Sequence, residues 1–184
     1  MSNSKSALVD EVMERIARKH QSANDIPLNH GLADEMHVQL VQALSDSTRG
    51  IFATMCGWEV STGDCSMCNS NNNFDASGLI SLSGALKATI AVRFKKELLF
   101  AATNSFLGFT PTQLGPDVMD LVGELTNMIG GNAKERLSIT GVVLGLPTIV
   151  AGEGHYIAFD AGLEITRLPF HCDHGSLCVE VGMN

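Results

Sequence analysis

Between Ile80 and Phe94 the side chains alternate in kind: Ile80, Leu82, Leu86, Ala88, Ile90, Val92 and Phe94 are apolar, and Ser81, Ser83, Lys87, Thr89 and Arg93 fall between them. A period of two belongs to a strand, so the segment reads as a hairpin with one buried and one solvated face. Gly84 permits its turn. Segments of helical period flank it. From about Ala33 to Met55 the apolar positions are Met36, Leu40, Val41, Leu44, Ile51 and Phe52. Lys96–Leu107 also reads as helix and is closed by a Gly108/Pro111/Gly115 break. Pro116, at a first-turn position beside Asp117, opens a longer helix that runs to about Leu137.

After that helix, Gly141–Ala151 reads as a buried strand that Pro147 interrupts, the mark of an edge or a bend. Leu163–Phe170 and Leu177–Met183 read as closing strands, the second alternating through Leu177, Val179, Val181 and Met183. Thr62–Asn73, rich in Asn, Ser and Cys, reads as a loop. The expected fold class is α/β in the α+β sense, with long helices packed on an antiparallel or mixed sheet. The order helix–hairpin, then helix–strands, hints at an internal pseudo-repeat.

Residues 5–20 carry Leu8, Val9, Val12, Met13, Ile16 and Ala17 at helical spacing in an otherwise charged stretch. Gln21–Gly31 is polar, contains Pro27 and reads as a linker. The expected organisation is an N-terminal extension over residues 1–30, with one amphipathic helix and a linker, and a single domain over residues 31–184.

Hydrophobic residues make up 45% of the 184, ample for a core that needs neither disulfide nor metal to hold it. The net charge is −8, from 20 acidic against 12 basic residues. The densest basic spots, Arg93–Lys95–Lys96 and Lys134–Arg136, are too sparse for phosphate-backbone recognition or an anionic membrane surface. The first residues lack the apolar run of a signal peptide. Stretches such as Leu98–Ala102 and Val142–Leu146 fall far short of the ~20 residues of a membrane span. The expectation is a soluble cytoplasmic protein that contacts neither nucleic acid nor membrane, with its five cysteines as reduced thiols.

The stretch Asp117–Leu137 carries the chemistry. At about 100° per residue, Val118, Leu121, Val122, Leu125, Met128 and Ile129 share an arc of about 120° and face the core. Asp120, Glu124, Asn127 and Gly131 fall within an arc of about 60° on the other side. An outward polar stripe is ordinary on a helix. Asn in mid-helix is not, and neither are Gly130 and Gly131 in tandem, which cost about 1 kcal/mol each relative to Ala. Broken local rules point to something gained elsewhere, such as close approach of another chain.

Asp120-x-x-x-Glu124-x-x-Asn127, then Met-Ile-x-Gly-Asn-Ala, then Pro147 about twenty residues on, resembles the signature of the CheC/CheX/FliY phosphatases. Residues 144–152 (Leu-Gly-Leu-Pro-Thr-Ile-Val-Ala-Gly) and the closing Pro-Phe…Gly-Ser-Leu-x-Val-x-Val over residues 169–181 are similar to that family too. The resemblance covers about residues 33–184. Its first helix lacks a matching Glu-x-x-Asn, and one motif per chain is the CheX-like pattern. The resemblance implies a phosphatase acting on the aspartyl-phosphate of a CheY-like response regulator. In it Asn127 would orient the attacking water and Glu124 would pair with the regulator's lysine. Asp120, Gly131 and Pro147 would serve partner contacts. It also implies a homodimer, and no cofactor of its own beyond the Mg²⁺ of the regulator.

Two other readings compete. One is a non-catalytic module that binds a phosphorylated regulator or belongs to a flagellar switch; such a module has no need of a carboxamide at position 127. The other is a zinc site built from Cys65-x-x-Cys68 and the group His171, Cys172, His174 and Cys178, of which only the first pair has ligand spacing.

Overall fold

The computed structural model describes Glu14, residues 29–63 and residues 74–183. The N-terminal helix expected over residues 5–20, its linker and the Cys65-x-x-Cys68 pair lie outside the described residues. The first helix, α1, spans Asn29–Cys56, four residues earlier than the apolar period suggested. Polar residues and Gly31 at that end carry no periodic signal, although a helix once nucleated adds a hydrogen bond with each further residue. The chain continues through β1 (Ser61–Thr62), β2 (Ala76–Gly84), β3 (Ala88–Phe94), α2 (Lys96–Leu107) and α3 (Pro116–Arg136). It closes with β4 (Val142–Leu144), β5 (Thr148–Ala151), β6 (Glu164–Cys172) and β7 (Gly175–Met183).

The strands form one antiparallel sheet in the order β1-β6-β7-β3-β2, with β4 and β5 sharing the outer edge of β2. The pseudo-repeat hinted at by element order is present in the topology. Each half is a long helix followed by a hairpin, α1 with β2–β3 and α3 with β6–β7, and the hairpins meet where β3 pairs β7. The strand after each long helix crosses to the other half: β1 pairs β6, and β4 and β5 pair β2. The halves are therefore interlocked rather than side by side.

Gly78, Ile80 and Leu82 of β2, Ile90 and Val92 of β3, Val179 and Val181 of β7 and Leu168 of β6 share the face under the helices. They form a single core with Leu40, Leu44 and Phe52 of α1, Leu98 and Leu99 of α2, and Val122, Leu125 and Ile129 of α3. One tertiary contact and several local signals set the ends of the helices. The Asp75 carboxylate accepts a 2.8 Å hydrogen bond from the Lys96 amide at the start of α2, and Gly108 ends that helix in the left-handed conformation at φ 77°. Pro116 starts α3, with Asp117 in its first turn and Lys134 and Arg136 in its last, each sign suited to the helix dipole. A buried hydrogen bond of 2.8 Å between His37 Nε2 and Thr166 Oγ1 ties α1 to β6.

The other face of the sheet differs from the solvated surface that alternation suggested. Ser77, Ala91, Arg93, Cys178 and Glu180 are all buried. The reason is the connection from β5 to β6, which crosses this face. The Ser77 hydroxyl donates to His155 Nε2 at 2.6 Å, and His155 Nδ1–H donates to the Gly152 carbonyl at 2.7 Å. Arg93 Nη2 donates to the His155 carbonyl at 3.2 Å. A Cβ on Gly182 would stand 2.7 Å from the Phe159 ring, so that strand position has room for glycine alone. Beneath, the buried carboxylate of Glu180 accepts from the buried Arg93 at 3.4 Å and from the half-exposed Arg167 at 3.2 Å.

Two other expectations change. Gly141–Ala151 is two short strands, mostly exposed, because they form the sheet edge. Cys178 is disulfide-bonded, contrary to the reading of five reduced thiols, while Cys56 and Cys172 are free; spacing along the chain says nothing of which sulfurs the fold brings together. Burial, and then the nearby Cys172, push the Cys56 thiol up to about 11. Trp58 stacks on Phe52 with ring centroids 6.1 Å apart and meets the His174 ring at 4.1 Å in a tilted arrangement, so it packs the end of α1 against the β6–β7 turn.

The helix layer sits close to the sheet because β2 carries glycine where α3 crosses it. A Cβ on Gly78 would overlap the Thr126 hydroxyl and lie 2.8 Å from Thr126 Cβ. Gly78→Ala is therefore expected to lower stability by roughly 1–3 kcal/mol, the usual cost of overpacking, read as a lower urea midpoint at unchanged slope. An unchanged midpoint would show that α3 can lift off the sheet freely.

Candidate functional site

The ridge begins with how α3 is buried. Val118, Leu121, Val122, Leu125, Ile129 and Ala133 are buried toward the core, and Gly123, Thr126 and Gly130 are buried as well. The buried arc thus spans about 200° rather than about 120°, because small residues on one flank let the sheet edge approach. A Cβ on Gly123 would stand 3.3 Å from Ile149, and one on Gly130 would stand 3.2 Å from Ile80 and 3.3 Å from Leu144. Gly130 is therefore explained within the chain: it admits β2 and β4, not another molecule. Gly131 has only ordinary contact, with Leu144 at 3.7 Å. Met128, expected in the core, is half-buried at the margin.

What remains outside is narrow. Asp120, Glu124 and Asn127 are exposed, on successive turns of one helix face, and Gly131 is half-buried at the end of the line. Among the described residues none of these three side chains has a hydrogen-bond or ion-pair partner, so the two carboxylates and the carboxamide face solvent uncommitted. Around Asn127 the helix itself carries few side chains. Its neighbours at i−4, i+3 and i+4 are Gly123, Gly130 and Gly131, and Glu124 at i−3 is the side chain beside it. On the flank of Gly123 and Gly130 the sheet edge, through Ile149 and Leu144, takes the place of helix side chains, and Gly131 leaves the end of the line low.

Pro147 lies in the loop joining β4 to β5. That loop leaves Leu144, beside Gly130 and Gly131, and returns to Ile149, beside Gly123, so it runs alongside the stretch of helix that carries Asn127. The five residues singled out from sequence thus share one edge of the molecule. The contribution of Leu144 and Ile149 to this edge escaped sequence reading. Their apolar character was visible, but not that they fill the places that side chains at 123 and 130 would occupy.

The fold offers a second helix of the same kind, and it lacks the chemistry. Leu40-Val41-x-x-Leu44 of α1 matches Leu121-Val122-x-x-Leu125 of α3, and all six residues are buried. The match puts Gln39, Ala43 and Asp46 where α3 has Asp120, Glu124 and Asn127. Ala43 is buried and Asp46 cannot donate as a carboxamide does, so of these two described helices α3 alone carries the pattern.

Around the C-terminal cysteines, no group of three or more His, Cys, Asp or Glu side chains able to hold a metal occurs among the described residues. No helix among them is long and apolar enough to cross a membrane.

The family model described as chemotaxis phosphatase CheX matches residues 76–171 of the 184, more than half of the chain. No curated protein matches the sequence. Among solved structures, a chemotactic CheC-like protein from Shewanella oneidensis MR-1 superposes with a TM-score of 0.72 at 29% identity, over 81% of this chain and 100% of its own. Chemotaxis protein CheX from Vibrio vulnificus gives 0.71 at 28% identity, over 79% and 96%. The CheX–CheY–BeF3–Mg²⁺ complex from Borrelia burgdorferi gives 0.63 at 16% identity, over 79% and 97%, a likeness of fold.

Proposed function

The chain belongs to the CheX family of chemotaxis phosphatases, and on that premise we propose that its ridge hydrolyses the aspartyl-phosphate of a CheY-like response regulator. The observation that carries the proposal is the setting of Asn127, exposed, ringed by Gly123, Gly130 and Gly131, and one turn from the exposed carboxylate of Glu124. The CheX relative complexed with CheY, BeF3 and Mg²⁺ supports the choice of partner.

An acyl phosphate is cleaved when water attacks phosphorus in line with the leaving carboxylate oxygen. The phosphorus–oxygen bond breaks, its electron pair stays on the aspartate, and the proton of the water passes to the released phosphate or to solvent. The Mg²⁺ of the regulator supplies charge neutralisation in its own pocket, and this chain brings no cofactor of its own. What remains to be supplied is placement of the water. The Asn127 oxygen accepts from that water while its NH₂ donates to a phosphoryl oxygen, which holds the nucleophile in line. Glu124 pairs with a lysine of the regulator. Without that cation a carboxylate beside a phosphoryl group would be repelled, so Glu124 also selects partners that bring one. Asp120 extends the acidic line toward the start of α3 and meets the rim of the partner. The reading includes a cytoplasmic homodimer with one ridge per subunit.

The test follows loss of label from phosphorylated regulator with and without the protein. Glu124→Lys sets a cation against the regulator's lysine. It is expected to raise KM by about ten-fold or more and to lower turnover as well, with folding intact because position 124 is exposed. Wild-type kinetics from Glu124→Lys would remove the carboxylate from the proposal.

A further inference from the structure

We propose that Leu146, at the tip of the β4–β5 connection, is the apolar anchor by which the ridge recognises its response regulator; this rests on the function proposed above. Leu146 is 89% exposed, the most exposed large apolar side chain among the described residues. Ile149, on the same edge, is only 38% exposed and packs beside Gly123; Val143 is paired with Ser83 on the opposite face of the sheet, and Tyr156 belongs to the segment that crosses that face. Leu146 alone combines near-complete exposure with a place on the loop that runs beside Asn127.

The backbone explains why it stands out. Leu144 pairs with Leu82 and Thr148 with Leu79, so Gly145, Leu146 and Pro147 are set against only Ile80 and Ser81 of β2. Three residues opposite two make a bulge, and a bulge re-aims the side chain it carries away from the ladder. The bulge is held firmly. The Gly145 amide donates to the Ser81 carbonyl at 2.8 Å, and a Cβ at 145 would collide with Ser81 Oγ at 2.7 Å. Pro147 holds the residue before it in extended conformations. A leucine presented on so constrained a turn loses little freedom on being covered, which is what a docking contact requires. It serves no core of its own, and it flanks a polar ridge whose three exposed side chains offer a partner no apolar surface to bury.

The occupant is the regulator rather than a second copy of this chain, because the anchor is contiguous with the uncommitted carboxylates and carboxamide of the ridge. A partner seated over Asn127 must extend over the β4–β5 connection. The chemistry called for is an apolar patch on the rim of a pocket that holds an acyl phosphate and a lysine.

Leu146→Ser tests the proposal, assayed beside Asn127→Ala on a regulator whose dephosphorylation the wild-type protein accelerates. The expected result is a KM raised by about ten-fold, the worth of one buried leucine side chain, with kcat at saturation and the urea midpoint unchanged. An unchanged KM in Leu146→Ser, with Asn127→Ala inactive, overturns the anchor and leaves the phosphatase reading standing. A sedimentation coefficient that shifts toward a smaller species while KM holds assigns the loop to self-association, which also overturns it. Full activity of Asn127→Ala sinks the parent reading and the anchor with it.

Discussion

Asn127→Ala is expected to remove the acceleration of regulator dephosphorylation while the protein stays folded and still binds its partner. The side chain is exposed and has no partner among the described residues, so no internal contact is lost. Alanine is also the better helix former by a few tenths of a kcal/mol. The loss falls on chemistry. A water no longer held in line must find its position by chance, and removal of one such positioning group costs about a hundred-fold or more in kcat. Asn127→Asp sharpens the result. It preserves shape but replaces the NH₂ donor with an oxygen and adds a negative charge facing the phosphoryl group, so it is expected to be as inactive as alanine. A carboxamide does not titrate, so the placement of water by Asn127 carries no pH dependence of its own. Single-turnover loss of label at saturating protein, with binding measured separately, separates these outcomes. Wild-type turnover by Asn127→Ala would show that the water is placed by something else.

Glu180→Ala is expected to have the largest effect on stability. Glu180 is buried in β7, and its carboxylate takes hydrogen bonds from Arg93 at 3.4 Å and from Arg167 at 3.2 Å. Arg167 is half-exposed and can turn to water. Arg93 cannot, since its side chain is 9% exposed, and it is held by the His155 carbonyl and by the Phe74 ring 4.6 Å from its guanidinium carbon. Removing the carboxylate strands that charge in the centre of the sheet, where β3 meets β7, at a cost of roughly 3–5 kcal/mol. The paired change Arg93→Met with Glu180→Leu should recover most of it, because the charges offset one another rather than add to stability. Urea midpoints of the single and double variants decide the matter. A single variant within about 0.5 kcal/mol of the wild type would mean that water reaches Arg93 through the covering segment.

The two predictions fall on opposite faces of the sheet, and the faces were unequally legible. The helix ridge was open to reading because everything about it is local. Asp120, Glu124 and Asn127 align through the pitch of one helix, whatever that helix packs against. The covered face was not. Ser77 meets His155 at a separation of 78 residues, and Arg93 meets Glu180 at 87. The segment that brings His155 there has neither strand nor helix period. Alternation in β3 accordingly suggested water on a face that is buried. Gly130 illustrates the same gap. Its conformational cost pointed correctly to a close approach, but the approaching group is Ile80 and Leu144 of the same chain.

Period and punctuation were enough to establish the α+β class, the order of the long helices and hairpins, and a line of two carboxylates and a carboxamide facing away from the core, since each depends on backbone pitch over a few residues. Tertiary structure alone decided which strands cross between the halves, what covers the second face of the sheet, and which side chains of the bulged edge fill the space at the glycines beside Asn127. Those outcomes depend on side chains that meet across long stretches of sequence, and steric fit between such groups leaves no periodic trace in either partner.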